Sequence, residues 1–530
     1  MLLVFQFVLS EKMNRKENLD RLQQVHEWDI VIIGGGATGL GAAVDAASRG
    51  YRTLLIEQYD FSKGTSSRST KLIHGGVRYL AQGNIKLVRE SLKERGLLLK
   101  NAPHVCHNLS FVLPSYKWWE KWYYGIGLKL YDLLSGKLSL GKTSFLSKKQ
   151  TKKLFPSISV DKLSGAILFH DGQFDDSRLA INLTQTAIEQ GASAINYCRL
   201  VSLTKTNGRI NAVVIEDTIS KKQYTVNCKV VINATGVYTD KIMLLDDPKH
   251  QPVITVSQGT HIVVEKHFFP GQQAMIIPAT DDGRVLFAVP WHNKVVIGTT
   301  DTLLDKISIE PIALQEEIDF IIRHINRYLV THIKRSDVKT VFAGLRPLIS
   351  VKEKKGTAVL PRDHTTIVSN SGLVTITGGK WTTYRTMGKS AVDNAVFVAK
   401  LPKKPGVTES LAIHGHTNNI DADEYLSVYG TDAIAIRQLM NNEPGLSEKI
   451  HPALPYTKAC IVWAVKHEMA ITIEDVLARR TRALFLDAKA AVESAPVVAS
   501  VMAKELNESM EWQEQQLINF NDIAKQYLIA

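Results

Sequence analysis

A glycine cluster set between two apolar runs constrains this chain more than any other feature. Residues 28–33 (WDIVII) are apolar and rich in β-branched side chains, which reads as a buried strand. Gly34-Gly35-Gly36-Ala37-Thr38-Gly39 follows, then small residues (LGAAVDAASRG) able to carry a helix close to a sheet. Residues 52–57 (RTLLIE) are a second strand, so the segment predicts a βαβ unit. Glycines at 34, 36 and 39 satisfy GxGxxG. They permit the tight turn and let backbone amides approach a pyrophosphate at the positive end of a helix. Glu57, eighteen residues past Gly39, stands where a carboxylate accepts hydrogen bonds from a ribose diol. GxGxxG alone is weak. In this setting it assigns Gly34, Gly35, Gly36, Thr38, Gly39 and Glu57 to a dinucleotide.

The fingerprint does not separate FAD from NAD, but two later glycine turns do. Residues 230–236 (VVINATG) are a late strand ending in Ala234-Thr235-Gly236, of the kind that packs beside the dinucleotide in two-domain flavoproteins. Gly378-Gly379-Lys380 follows the strand LVTIT and resembles a turn that brings a late helix's amino end toward a flavin. A helix dipole there stabilises negative charge near N1 and O2 of the reduced ring. Three glycine motifs in this order favour FAD and add Ala234, Thr235, Gly236, Gly379 and Lys380 to its site.

At 530 residues the chain exceeds one hydrophobic core. Strand-like runs recur at 229–233, 261–264, 295–299 and 373–377, and helical patterns around 177–190, 311–328 and 381–400. Their interleaving over residues 28–400 predicts a mixed α/β region. A Pro- and Lys-rich stretch opens a linker at 401–420, and helical periodicity over 421–530 predicts a separate helical domain. Residues 1–27 read as an N-terminal extension. Its apolar run, Met1 to Leu9, is too short to cross a bilayer and lacks a signal peptide's basic flank and cleavage site, so translation is expected to start at Met13. Four scattered cysteines without metal-ligand spacing point to a reducing, cytoplasmic setting. The net charge of +12 favours anionic partners: a phosphorylated substrate, acidic lipid or nucleic acid. No nucleic-acid-binding module is recognisable, which sets the last aside.

The family becomes visible at Thr65-Ser66-Ser67-Arg68-Ser69-Thr70-Lys71-Leu72-Ile73-His74-Gly75-Gly76-Val77-Arg78-Tyr79-Leu80. This segment resembles the signature of the FAD-dependent, quinone-linked glycerol-3-phosphate dehydrogenases, within the D-amino-acid-oxidase-like flavoproteins. Further matches are GTHIV from Gly259, IGTTD from Ile297, GLRPL from Gly344, GKWTTYR from Gly379 and EDVLARRTR from Glu474. The resemblance implies a discontinuous Rossmann-like FAD-binding domain (about 28–105, 172–258 and 340–400), an antiparallel-sheet substrate domain (about 106–171 and 259–339) and a C-terminal all-helical cap. It also implies non-covalent FAD and oxidation of glycerol 3-phosphate to dihydroxyacetone phosphate. Electrons would pass to a membrane quinone, from a homodimer attached peripherally to an anionic lipid surface at the cytoplasmic membrane. A minority branch reduces oxygen to hydrogen peroxide instead. By the same resemblance Arg68, Ser69, Thr70, Leu72, Ile73, His74, Gly75, Gly76 and Val201 join the cofactor contacts.

Such a substrate is a phosphate dianion with a secondary alcohol at C2. Its oxidation needs the C2 hydrogen placed over the flavin, the hydroxyl proton removed and the phosphate held. Arginine's planar fork suits phosphate. The resemblance names Arg78, Tyr79, His261, Arg346, Arg362 and Lys380 for substrate binding, with His261, Arg346 and Lys380 as the catalytic set. Arg346 leads, because it stands in a largely uncharged run, FAGLRPLI, where a charge is expected to be paired. His261 interrupts the apolar strand GTHIVV and titrates in the useful range.

Two features stay open. Residues 116–124 (YKWWEKWYY) hold six aromatics, and on a helix Trp118, Trp119, Trp122 and Tyr123 share an arc of about 140°. That face fits either a lipid interface or the interior of its own domain. The basic run Arg479, Arg480 and Arg482 reads as salt-bridged scaffold first, then as substrate gate or lipid contact.

Overall fold

A computed structural model describes residues 13–81, 83–278, 280–349, 364–421 and 423–529. Residues 1–12, on which the expected translation start bears, lie outside them, as does Arg362. The architecture is mixed α/β with a helical C-terminal region.

Strand Trp28–Ile33 is central to the first sheet, whose order is His364–Val368, Val374–Gly378, Gln223–Asn233, Trp28–Ile33, Thr53–Ile56, Ser193–Ile195. It pairs in parallel with both neighbours. A parallel centre is covered on both faces, and Ile30, Val31 and Ile32 are fully buried. Strands Cys198–Thr206 and Arg209–Asp217 extend Gln223–Asn233 into an antiparallel meander. Helices Ala37–Ser48 and Tyr384–Val398 touch backbone to backbone. A Cβ on Gly388 would meet the Gly41 carbonyl carbon at 2.4 Å, and one on Gly41 would meet the Tyr384 oxygen at 2.7 Å.

The second sheet is antiparallel except where Ala274–Ile277 joins Cys106–Ser115. Its long pair is Ile254–Glu265 with Val338–Ile349, so the sequence boundary at 340 falls inside a second-sheet strand. Strand Leu72–Ile73, from the signature segment, closes the far edge against Gly165–Phe174.

Beyond the linker the described elements are helical, among them Lys458–His467, Ala488–Leu506 and Met510–Ala524. Ile473, Leu477, Leu484 and Phe485 share one core with Val263, Val296 and Phe342 of the second sheet. The junction is also ionic. Arg479 and Arg480 both bond Asp60, Arg480 accepts no solvent contact through its side chain, and Arg482 bonds Asp176. The basic run is therefore scaffold, with Arg479, Arg480 and Arg482 all buried.

The linker is tied down as well. The Tyr51 hydroxyl donates to the Pro402 oxygen at 2.7 Å. His414 donates from both ring nitrogens, to Glu189 at 2.5 Å and Asp432 at 2.9 Å. Burial alone would lower its pKa, but Asp432 and Glu189 outweigh it and push the imidazole up to about 10. A folded-state pKa above the unfolded value means that this stabilisation is complete below about pH 6.5 and is lost as pH rises through about 10. His414→Gln is expected to cost about 2 kcal/mol in urea unfolding at pH 6, with the gap from wild type closing by about pH 10. A gap independent of pH would refute the charged-imidazole account.

Candidate cofactor and active site

The carboxyl ends of strands Trp28–Ile33, Thr53–Ile56, Gln223–Asn233 and Val374–Gly378 border a cavity of about 270 Å³, the place where open α/β sheets bind ligands. Its walls include Gly34, Gly36, Thr38, Glu57, Arg68, Ala234, Thr235, Gly236, Gly379 and Lys380. The turn admits only glycine at key points. Gly34 has φ +108°, and a Cβ on it would stand 2.7 Å from the Ala234 oxygen. A Cβ on Gly39 would fall 1.9 Å from the Gly34 oxygen, so the helix starts directly on the turn. Gly36 caps that helix without a side chain.

Glu57 accepts the Gly35 amide at 2.7 Å and the Tyr59 amide at 2.9 Å. Burial pushes its carboxyl up while those amides pull against it. Each oxygen retains a second lone pair for a ribose diol. The glycine cradle, the helix amino end and the anchored carboxylate together fit a dinucleotide. At Val201 the cavity wall is formed by the preceding Cys198, Arg199 and Leu200, and Val201 itself sits in a bulge between Leu200 and Ser202.

The signature segment threads from this cavity into the second sheet. Arg68 bonds Glu310 at 2.6 Å and the Tyr527 hydroxyl at 3.0 Å. Ser69 donates to Asp176 from its amide and hydroxyl. Lys71, which the sequence reading did not single out, is wholly buried with its ammonium 2.6 Å from Asp176, and burial pushes it down to about 7. His74 exchanges backbone hydrogen bonds with the Thr382 hydroxyl. The Gly75 amide donates to the Tyr131 hydroxyl at 2.7 Å, and that hydroxyl donates to Asp171. A Cβ on Gly76 would strike the Tyr79 ring at 2.3 Å. Lys380 returns to the same place, 4.7 Å from the Tyr79 ring centre and 3.1 Å from the Ser91 hydroxyl. Arg78 falls on the short helix Val77–Ala81, but its side chain is outside the described set.

His261 and Arg346 lie on the paired strands Ile254–Glu265 and Val338–Ile349. His261 Nε2 is 2.9 Å from the Thr70 hydroxyl, and its ring stacks on Phe342. Burial, then the charges of Arg346 and Lys71, hold its pKa well below the usual value, so the ring is neutral at physiological pH. Arg346 bonds the Thr299 hydroxyl at 3.0 Å and the Thr300 oxygen at 3.1 Å, with Asp301 at 3.4 Å. It is paired, as its uncharged setting led us to expect. Two glycines make the room: a Cβ on Gly259 would lie 2.1 Å from the Arg346 guanidinium, and one on Gly298 would lie 2.3 Å from the His261 ring.

The sequence-derived residues thus gather in two places. One set lines the cavity. His261, Arg346, Thr70, Tyr79 and the His74–Gly76 turn stand beside it, Arg346 being flanked by the cavity-lining Leu345 and Pro347. Gly35, Gly39, Ser69, Leu72 and Ile73 are not among the residues that line the cavity. Trp381, whose indole donates to the Ser66 oxygen at 2.8 Å, also lines the cavity; its place in GKWTTYR is the signal that marks it in the sequence. Tyr131 carried no local signal at all.

Gly36→Val tests the cradle. The purified variant is expected to retain less than about a tenth of the wild-type dinucleotide, a loss of more than about 1.4 kcal/mol, with unchanged far-UV circular dichroism. A fully loaded variant would remove this turn from the site.

Residues 29–385 match the family of FAD dependent oxidoreductases, and residues 374–516 match the C-terminal domain of alpha-glycerophosphate oxidase. The chain is similar to the mitochondrial glycerol-3-phosphate dehydrogenase of Homo sapiens, 38% identical over 94% of this chain and 73% of that protein. A probable mitochondrial glycerol-3-phosphate dehydrogenase of Caenorhabditis elegans is 40% identical over 95% of this chain and 74% of its own length. Among solved structures, the glycerol-3-phosphate dehydrogenase from Bacillus halodurans complexed with FAD has a TM-score of 0.79 and 28% identity, covering 98% of each chain. The L-alpha-glycerophosphate oxidase from Mycoplasma pneumoniae with FAD bound shares the fold, with a TM-score of 0.54 and 16% identity over 73% of this chain and 98% of that one. With its glycine cradle fitted to FAD, the chain belongs to the family of FAD-dependent glycerol-3-phosphate dehydrogenases.

Proposed function

We propose that this enzyme oxidises sn-glycerol 3-phosphate to dihydroxyacetone phosphate and passes the electrons to a membrane quinone, as a homodimer attached peripherally to the cytoplasmic membrane. What carries the reading is the identity of 38% over 94% of the chain with a protein named for this substrate. The site geometry supports it.

Bound FAD supplies the acceptor for the hydride leaving C2. The chain's residues do the rest. Arg346, held by Thr299, Thr300 and Asp301 with a quarter of its side chain exposed, offers a fixed guanidinium to the phosphate. Lys380, held against Tyr79, adds a second positive charge, and Arg78 and Arg362 belong to the same proposed set. His261, neutral and hydrogen-bonded to Thr70, takes the C2 hydroxyl proton. The electron pair of the O–H bond then forms the ketone as the hydride departs.

The direct test is anaerobic mixing with glycerol 3-phosphate while the flavin absorbance is followed. Bleaching that recovers with a soluble quinone and only slowly in air is the expected result. Rapid recovery in air with peroxide release would make the enzyme an oxidase, and no bleaching of loaded protein would remove the substrate assignment. Arg346→Ala is expected to raise KM about 10- to 100-fold, as befits loss of a charged hydrogen bond, with the bound-flavin spectrum unchanged. Wild-type kinetics in that variant would take Arg346 out of the site.

A further inference from the structure

Helix Trp118–Ser135 presents the wrong face to water. Its Gly125, Leu128, Tyr131 and Ser135 are buried. On the opposite side Trp118, Trp122, Tyr123, Ile126, Leu130 and Leu133 are exposed, Trp118 and Leu133 by 78% and 76%. At 100° per residue these six fall within an arc of about 140°. Single exposed apolar side chains are ordinary, but a whole helix face of them marks a contact surface. The aromatic face is therefore not packed inside its own domain.

The surrounding charge identifies what covers it. Residues 116–153 contain nine lysines and two carboxylates, which is seven of the chain's net charge of +12. Lys129 is exposed on the helix itself, exposed Lys117 caps its start, and Lys137 follows its end. Strand Ser144–Leu146 packs on the helix through Phe145, whose ring is 5.1 Å from Trp122 and lies under the ammonium groups of Lys121 and Lys129. Lys148 and Lys149, both exposed, open the next helix. Tryptophan and tyrosine rings settle at the headgroup level of a bilayer, and lysine stems there reach up to the phosphates. A second copy of the chain pairing through the same face would bring two such lysine bands together.

We infer that the outward face of helix Trp118–Ser135 is the surface by which the protein lies on a bilayer containing anionic lipid. This rests on the peripheral attachment proposed above and names the surface responsible. Among the described residues no helix is long and apolar enough to cross a membrane, so the helix lies along the interface.

The test is sedimentation of the full-length, FAD-loaded protein with vesicles of phosphatidylcholine alone or mixed with phosphatidylglycerol. The triple variant Trp118→Ser, Trp122→Ser, Leu133→Ser is run beside the wild type. All three side chains are exposed, so the core is untouched, and circular dichroism checks that the fold is kept. Wild type is expected to bind the anionic vesicles, less so at high salt, with a tryptophan emission blue shift. The triple variant is expected to bind about tenfold or more weakly while oxidising glycerol 3-phosphate normally with a soluble dye. Equal binding by the variant would overturn the assignment, as would equal binding of wild type to both vesicle types. A vesicle-free dimer abolished by the triple substitution would overturn it in favour of self-association. Vesicle binding without any glycerol 3-phosphate activity would sink the proposed reaction and leave the lipid surface standing.

Discussion

Asp60 is fully buried with its carboxylate held by the guanidinium groups of Arg479 and Arg480, 419 and 420 residues further along the chain. Burial alone would raise its pKa, but the charges of Arg480 and Arg479 outweigh that and keep it ionised. Such an arrangement is tolerable only when complete, because one partner removed leaves a buried charge uncompensated. The network then runs outward. Arg479 also bonds Glu474 and Asp475, Glu474 bonds Lys63, and Lys63 shares Glu310 with Arg68. Lys63 and Arg68 are walls of the cofactor cavity. The helical region is thus part of the frame on which that cavity is built.

A second hub lies at Asp176. It takes hydrogen bonds from Ser69, Lys71 and Arg482, which pins the signature segment to both the first helix-covered sheet and the C-terminal region. Thr70, between the two anchored residues, is thereby placed against His261. A motif that reads as a cofactor contact is, for much of its length, an ionic splice between three parts of the molecule. It lines the cavity at its first end, through Thr65, Ser66 and Arg68, while the turn at Gly76 approaches Lys380, which lines the cavity in its turn.

What could be read from the sequence was what leaves a local trace. The turn at Gly34–Gly39 was legible because steric closeness of 1.9 and 2.7 Å admits no side chain there. The strands around His261 and at 374–377 were legible because burial favours short runs of apolar and β-branched residues, even where His261 or a threonine interrupts them. Tyr131 was invisible, since its value lies in a bond to Gly75, 56 residues earlier. Lys71 stood inside a recognised motif, yet its burial depends on Asp176, 105 residues on. The arc of aromatics on helix Trp118–Ser135 was readable as a face, but periodicity marks a face without saying what it meets. Arg479 and Arg480 posed the same difficulty, resolved only by the position of Asp60.

The parallel sheet sets an order in time as well as in space. Strand Trp28–Ile33 is made early, together with Thr53–Ile56, but its other neighbour ends at Asn233 and the strand beyond that at Gly378. At a synthesis rate of about 5–20 residues per second, the last of these strands leaves the ribosome some tens of seconds after the first. Until residue 233 has been made, the flank of Trp28–Ile33 that will meet Gln223–Asn233 carries unpaired backbone groups on an apolar strand. Slower elongation between residues 57 and 233 would therefore lengthen the time for which this apolar edge stands open, without changing the finished fold.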